Sequence, residues 1–241
     1  MRQRQPTATA RKAPKRPAKA NDLASLTEEA YRRLEEMIAT LELAPGALIS
    51  EAELCTRLEI GRTPVREAMQ RLAREQLLQI LPRRGCIVSA CRLEDELNVI
   101  EVRRPLELLV ARAAAQRANP EERKEFENMA KAMADALAAD DFDAFARLDA
   151  EFNQLCLVAC RNTTAASMMR LISTLNRRFW FTRHGRTLPR EGVESHVAIA
   201  RAIAKGDADG AAAAAERLLR YVESLAGRPR AFEGPIRATR S

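Results

Sequence analysis

The sequence predicts a mostly α-helical protein of two domains. An N-terminal winged helix-turn-helix with a small β-hairpin wing is followed by an all-α antiparallel bundle of six or seven helices. The 241 residues, 46% of them apolar, are enough for two cores of ordinary size. Two helical stretches around a tight turn precede two short β-prone runs, and from residue 93 onward only helical periodicity continues.

Positive charge is concentrated at the start of the chain. The formal net charge of +7 equals the number of Lys and Arg side chains in residues 1–21, which contain no acid. We expect a disordered basic arm there, which either lies along DNA phosphates or only keeps the chain in solution. The two predicted domains take residues 22–90 and 91–226, and a flexible tail rich in Pro, Gly and Arg covers residues 227–241.

Three helices are predicted in the first domain. The first opens at Leu26 with an apolar stripe and ends at a Pro-Gly turn, and the second is capped by Ser50. The third begins at Gly61 or Thr63, whichever provides the cap, because Pro64 suits a first helical turn. The last two helices and the turn between them form the arrangement that places a recognition helix in the DNA major groove.

The predicted wing follows the third helix. Residues 77–81 and 86–89 are β-prone and are joined by a Pro-Arg-Arg-Gly sequence, so they indicate a hairpin with a basic tip. Residues 57–84 contain seven arginines against three glutamates, which gives this part of the domain a positive field.

The run PGALISEAELCTRLEIGRTPVREAMQRLAREQLLQILPRRGCIV resembles the DNA-binding domain of the GntR family of bacterial transcription regulators nearly end to end. The resemblance implies that the start of the third helix and the wing tip contact double-stranded DNA, through Arg62, Thr63, Arg66, Arg71, Arg83, Arg84 and Gly85. One departure is Gly61, where many relatives have a hydroxyl residue that touches a phosphate. The backbone N–H of Gly61 can still serve.

Six helices are predicted in the second domain, separated by turn signals, at residues 93–118, 121–139, 141–160, 163–183, 191–205 and 208–226. This all-helical domain resembles the FCD ligand-sensing domain of the FadR subgroup. The matching sequences are EVRRPLE from Glu101, LDAEFN from Leu148, ESH from Glu194 and AIAKGD from Ala202.

A polar stripe predicts a lined cavity in the second domain. Asp149, Asn153, Cys156 and Cys160 follow one another at helical spacing and therefore share one face of a helix. The two cysteines either act as substitute metal ligands or, as is commoner for buried free cysteines, fill apolar space.

By its resemblance to the FCD domain, Arg103 projects toward this cavity, where its guanidinium can fork onto a carboxylate. The alternative is a salt bridge with Glu101 or Glu107.

The FCD resemblance also implies a metal site with four ligands, at the positions of Asp149, Asn153, His196 and Leu218. An amide oxygen is a poor ligand for Zn²⁺ or Ni²⁺ and leucine is none, so at most a weakly bound divalent metal is expected on Asp149 and His196, with Asn153 as a third ligand. We expect instead a metal-free cavity in which Arg103, Asp149, Asn153 and His196 bind an organic effector.

Residues 177–186 place the single tryptophan of the chain among arginines. Basic residues interleaved with aromatic ones are typical of single-stranded nucleic-acid binding. The apolar residues before them keep helical spacing, which favours a core helix with a solvated basic end and leaves contact with an effector anion as its functional role.

Together these patterns predict a transcription repressor, homodimeric on a near-palindromic operator, whose helical domain senses a small organic acid. The alternatives are a metal-dependent regulator using Asp149 and His196, an enzyme using them as acid and base, and a sensor of partners other than DNA. No Ser/His/Asp, Gly-rich or HExxH pattern supports an enzyme. Five cysteines without a CxxC pair, and no long apolar stretch, favour a reducing cytoplasm and no membrane contact.

Overall fold

The computed structural model describes residues 20–185 and 187–226. The predicted C-terminal tail lies outside the described residues, as does the predicted basic arm apart from its last two residues. The first helix begins at Ala20 and not at Leu26, so the end of that arm is helical. No helix within the described ranges combines the length and the apolar character that crossing a bilayer requires.

The first domain is built from three helices and three short strands. Its elements in chain order are α1 (Ala20–Ala39), β1 (Leu48–Ile49), α2 (Glu51–Leu58), α3 (Arg62–Arg74), β2 (Leu78–Leu81) and β3 (Gly85–Val88). Leu34, Leu54 and Leu72 meet in one apolar core, each at most 1% exposed. The Ser50 side chain accepts a hydrogen bond of 3.1 Å from the Glu53 N–H, which defines the start of α2 as predicted.

The wing is a three-stranded antiparallel sheet in the order β1-β3-β2. The predicted hairpin is present, with Leu81 opposite Gly85 across a three-residue loop. The sequence did not predict β1, which has two residues and pairs Leu48 with Ile87. This third strand ties the wing to the segment that enters α2, so the wing and the helix-turn-helix are one packed unit.

The second domain contains six helices, as predicted. They are α4 (Leu93–Arg117), α5 (Pro120–Ala138), α6 (Phe142–Ala159), α7 (Thr163–His184), α8 (Arg190–Lys205) and α9 (Ala208–Ala226). Side-chain caps set several starts, since Asn119, Asp141 and Asn162 each accept a bond from the backbone three residues on. Gly206 ends α8 in the left-handed conformation, with φ +72.

A second apolar core, separate from that of the first domain, fills this bundle around Phe126 and Phe152, which pack edge to face at 6.0 Å. Cys156 and Cys160 belong to this core as buried free thiols. Burial raises the pKa of the Cys156 thiol well above its ordinary value, so it stays protonated and acts as a small apolar side chain.

Helix α7 joins the two domains, because it contacts α1 as well as the other helices of its own bundle. The Thr174 hydroxyl donates to Glu35, and the Arg177 guanidinium binds both carboxylate oxygens of Glu36. Leu175 packs against the first core. Apart from Leu175, the contacts named here between α1 and α7 are hydrogen bonds and an ion pair.

Candidate nucleic-acid interface and ligand cavity

The outer face of α3 is basic and open. Pro64 and Val65 are buried, whereas Arg62, Thr63 and Arg66 are exposed at the start of the helix. Gly61 is the N-cap and provides no side-chain hydrogen bond, so the first N–H groups of α3 have no partner from a capping side chain. The helix start therefore combines the positive end of the helix dipole with guanidinium groups, which suits an anionic partner.

Arg66 forms an ion pair with Glu51 at the protein surface. Its Nε and Nη2 each lie 2.9 Å from a carboxylate oxygen of Glu51 on α2. The Arg66 side chain is 62% exposed, and solvent screens an ion pair at such a position. The pair therefore orients Arg66 at the surface without preventing contact with a phosphate or a base.

The Arg71 side chain, predicted to contact DNA, is directed toward α1. Its guanidinium carbon is 3.5 Å from the centre of the Tyr31 ring on α1, and its nitrogens pair with Glu28 at 2.9 Å and Glu75 at 3.3 Å. These contacts turn Arg71 toward α1 and stabilise the packing of α1 on α3. The expectation that Arg71 contacts DNA is not favoured by this geometry.

The wing tip presents Arg83 and Arg84, both exposed. Gly85, which follows them, has φ +103, and a Cβ atom there would lie 2.3 Å from the carbonyl oxygen of Ile49. Glycine is thus required for β3 to pair closely with β1, which is a structural reason for this residue beside its predicted place at the DNA.

A small cavity lies among α4, α6, α7, α8 and α9, and offers about 50 Å³ to the centres of water-sized molecules. One water needs roughly 10–15 Å³ on that measure, so a ligand of only a few heavy atoms fits. Aromatic and aliphatic side chains form part of the wall, and the polar part is formed by Arg103, Asp149, Asn153, Ser173, Asn176, Arg177 and His196. The structure thus brings all four predicted effector residues together.

His196 and Asp149 form an ion pair inside this cavity. Nδ1 of His196 lies 2.7 Å from the Gly192 carbonyl oxygen, which only accepts, so Nδ1 carries a proton. Nε2 lies 3.0 Å from Oδ1 of Asp149, which is ion-pair distance although the contact does not have hydrogen-bond geometry, and the carboxylate favours a proton on Nε2. Burial opposes the charged ring, but Asp149 and the Gly192 carbonyl outweigh it and raise the pKa of His196. Burial likewise opposes the charge on Asp149, but His196, Arg177 and Arg103 lower its pKa.

Arg103 satisfies both alternatives that the sequence left open. It lines the cavity, and its Nε binds Glu107 at 2.6 Å while Nη1 binds the Asn176 side-chain oxygen, also at 2.6 Å. Glu107 and Asn176 therefore hold the guanidinium in a defined orientation at the wall, as a carboxylate receptor requires.

The residues at the expected metal positions do not form a suitable donor set. Asp149 and His196 bind each other, the Asn153 amide donates 2.8 Å to the Asp149 backbone oxygen, and Leu218 is 1% exposed in the apolar wall. Among the described residues, no group of three or more His, Cys, Asp and Glu side chains is placed to hold an ion. The weak Zn²⁺ or Ni²⁺ site on Asp149 and His196 stays a prediction that this geometry does not favour.

Sequence reasoning missed Asn176 as a cavity residue and left Arg177 in a basic helix end. Both lie on α7 and line the cavity, and Trp180 follows them one turn later. The signal was present as helical spacing, because residues 173, 176, 177 and 180 share one face. The Arg-rich end of α7 thus combines core packing with polar contacts at the cavity.

Comparison with known families and relatives agrees with both domains. The model of bacterial regulatory proteins of the gntR family matches residues 26–88, and the FCD domain model matches residues 98–221. The HTH-type transcriptional repressor RspR of Escherichia coli K12 is 29% identical over 190 residues, which cover 78% of this chain and 83% of RspR.

Two solved structures share the fold. Escherichia coli McbR/YncC gives a TM-score of 0.72 at 20% identity, covering 83% of this chain and 96% of that one. A GntR regulator from Rhodococcus sp. RHA1 gives 0.60 at 21% identity, covering 84% and 96%. At these identities the likeness establishes the fold of both domains and their order.

Proposed function

Because the chain belongs to the gntR family of bacterial regulatory proteins and carries an FCD domain, it is a DNA-binding transcription regulator, and we propose that it is a repressor controlled by a small organic acid. The relative RspR is named a repressor, which supports that sign of regulation. The basic face of α3, open and preceded by an uncapped helix start, is the observation on which the DNA-binding role depends most.

The proposed DNA contacts are those predicted residues that the structure leaves exposed at α3 and the wing tip, namely Arg62, Thr63, Arg66, Arg83 and Arg84. Arg71 is left out because α1 engages it. A helix of this kind enters the major groove, and a flanking wing with a basic tip meets the neighbouring backbone. We further propose a homodimer, since two recognition helices read two half-sites of a near-palindromic operator.

The proposed effector is a small carboxylate bound in the cavity. Arg103, Arg177 and His196 contribute positive charge to the lining, and Asp149 is the carboxylate among the described lining residues. A guanidinium held at a buried wall binds a carboxylate through two parallel hydrogen bonds, and the positive charge that His196 carries when protonated adds a nearby attraction. Each of these cations already has a carboxylate partner, Glu107, Glu36 or Asp149, so an anionic ligand has to share or replace one of those partners.

DNA binding is tested with Arg66→Ala and with Arg201→Ala, a matched loss of one exposed arginine on α8. We expect Arg66→Ala to weaken specific binding by ~1–3 kcal/mol, because it removes a contact from the proposed recognition face. Arg201→Ala should bind as the wild type does. Affinities are measured by fluorescence anisotropy on a duplex selected in vitro with the wild-type protein, at several salt concentrations. Equal affinity of the two variants would remove Arg66 from the proposed interface.

A further inference from the structure

Helix α7 has one face toward the cavity and another toward the first domain. Ser173, Asn176 and Trp180 line the cavity. Thr174 donates to Glu35 on α1, and Arg178 donates to the Ser89 backbone oxygen just after the wing. A ligand that changes contacts on the first face therefore acts on a helix that also holds the DNA-binding domain.

Arg177 belongs to both faces. It is part of the cavity wall, and its Nη1 and Nη2 lie 2.9 and 2.7 Å from the two carboxylate oxygens of Glu36 on α1. The Arg177 side chain is 24% exposed, whereas that of Glu36 is 54% exposed. Arg177 therefore connects a nearly enclosed site to a carboxylate at the surface.

The other cations of the cavity are engaged differently. Arg103 pairs with Glu107 and His196 pairs with Asp149, in each case within the second domain. Among the described cavity-lining cations, Arg177 is the one whose ion-pair partner belongs to the first domain. The Arg177 charge also helps lower the pKa of Asp149, although His196 is the larger cause and burial opposes both.

We propose that the cavity and Glu36 compete for Arg177, so that a carboxylate bound in the cavity draws Arg177 from Glu36 and loosens α1 from α7. The inference rests on the proposed carboxylate effector. An ion pair with a half-exposed glutamate is weak, whereas a carboxylate shielded from water binds a guanidinium more strongly, so the exchange favours the ligand.

A change in the position of α1 would be transmitted to the recognition helix α3, because the two helices are in direct contact. α1 packs against α3 through the shared apolar core, and Arg71 on α3 binds Glu28 on α1 and covers the Tyr31 ring. Glu75 at the end of α3 also accepts from the Tyr31 hydroxyl at 2.8 Å. Because α1 and α3 are packed together by these contacts, the proposal is that a changed contact between Arg177 and Glu36 alters the placement of the DNA-binding face.

The test compares wild type with Glu36→Gln and with Glu29→Gln. Glu29 is a control on the same helix, 44% exposed and paired at 3.5 Å with Arg33 of α1 itself. Acetate, lactate and succinate are titrated into each full-length protein by calorimetry. Operator affinity is then measured with and without the acid that binds best, at constant ionic strength, on the selected duplex.

We expect Glu36→Gln to bind that acid about 5-fold more tightly than the wild type, because Arg177 is already free, and to lose the acid's effect on operator affinity. Glu29→Gln should behave as the wild type in both measurements. If all three proteins bind the acid equally and respond equally on DNA, the competition for Arg177 is wrong while the cavity assignment stands. If none of the three acids binds the wild type, the carboxylate effector itself is wrong, and this inference is overturned with it.

Discussion

At the scale of single residues, the cavity contains an ion pair in which each member stabilises the charge of the other. The imidazolium of His196 is positioned by the Gly192 carbonyl and by Asp149, and the rings of Phe145 and Phe152 lie edge to face against it at 5.8 and 5.9 Å. A charged pair enclosed by aromatic rings depends on both members, because either one alone would be left without compensation.

Asp149→Asn should lower the free energy of unfolding by about 3 kcal/mol near pH 6. The pKa of His196 is raised from its ordinary 6.5, so the ion pair contributes fully below that value and its contribution is lost as pH rises through the folded-state pKa. The pKa of Asp149 is lowered, so at the acid end the contribution is lost only as pH falls through that lowered value.

Urea denaturation at about pH 6 and at about pH 9 measures this difference, which should shrink at the higher pH. Glu151→Gln, an exposed change on the same helix, is the control and should have little effect at either pH. A loss of stability that is the same at both pH values would contradict an ionised pair.

The sequence could not predict the cavity-site contacts whose partners lie far apart along the chain. Helical spacing put Asp149 on a polar stripe, and the family resemblance alone brought His196, on another helix, to that stripe. Arg177 was seen only as part of a basic helix end, since its partner Glu36 lies in another domain and an exposed ion pair leaves no periodic signal. The contacts of Arg71 with Tyr31 and Glu28 were not predicted for the same reason, because both partners are distant in sequence.

At the scale of elements, the helices were predictable and the sheet was only partly so. Caps such as Asn119, with its reciprocal bonds to Glu122, begin helices through contacts three residues apart, which a sequence displays directly. β1 has two residues and its partner strand follows 37 positions later, at Cys86 opposite Ile49. Pairing over that separation has no local signature, so the third strand had to be observed.

Gly85→Ala tests the close approach of β1 and β3. We expect it to lower the free energy of unfolding by about 3 kcal/mol, because a methyl group 2.3 Å from the Ile49 oxygen adds a clash to a positive φ. Gly46→Ala is the matched control, with φ +82 and nothing within 4 Å of the added carbon, and should cost only about 1 kcal/mol. Equal losses in urea denaturation would mean that the wing tolerates the added carbon.

At the scale of the whole molecule, two apolar cores are joined by a junction of ion pairs and hydrogen bonds. Close-packed cores resist gradual deformation, whereas exposed ion pairs exchange partners at little cost. Leu175 of α7 is the side chain that also packs against the first core, so the described junction combines polar partners with one apolar contact.

The charge of the whole chain leads to a prediction about salt. Removing residues 1–19 deletes all seven basic side chains of the arm and keeps every residue of α1 that the structure describes, from Ala20 onward. We expect a smaller slope of log affinity against log salt, by roughly 0.9 for each phosphate that the arm neutralises, with unchanged sequence preference. A full-length variant with those seven side chains changed to glutamine should show the same slope as the truncation. An unchanged slope in both would show that the arm does not touch phosphates.

The polar junction between the cores also affects how the two domains could be exchanged between proteins by gene fusion. A sensing domain and a DNA-reading domain that share few apolar contacts can be recombined by gene fusion with each fold intact. A new combination of domains has to keep the side-chain pairs at the junction, which are Glu35 with Thr174 and Glu36 with Arg177. If the proposed competition for Arg177 is right, a fusion partner without a complementary pair there would give a protein that folds and binds DNA, and whose DNA affinity no longer depends on the proposed ligand.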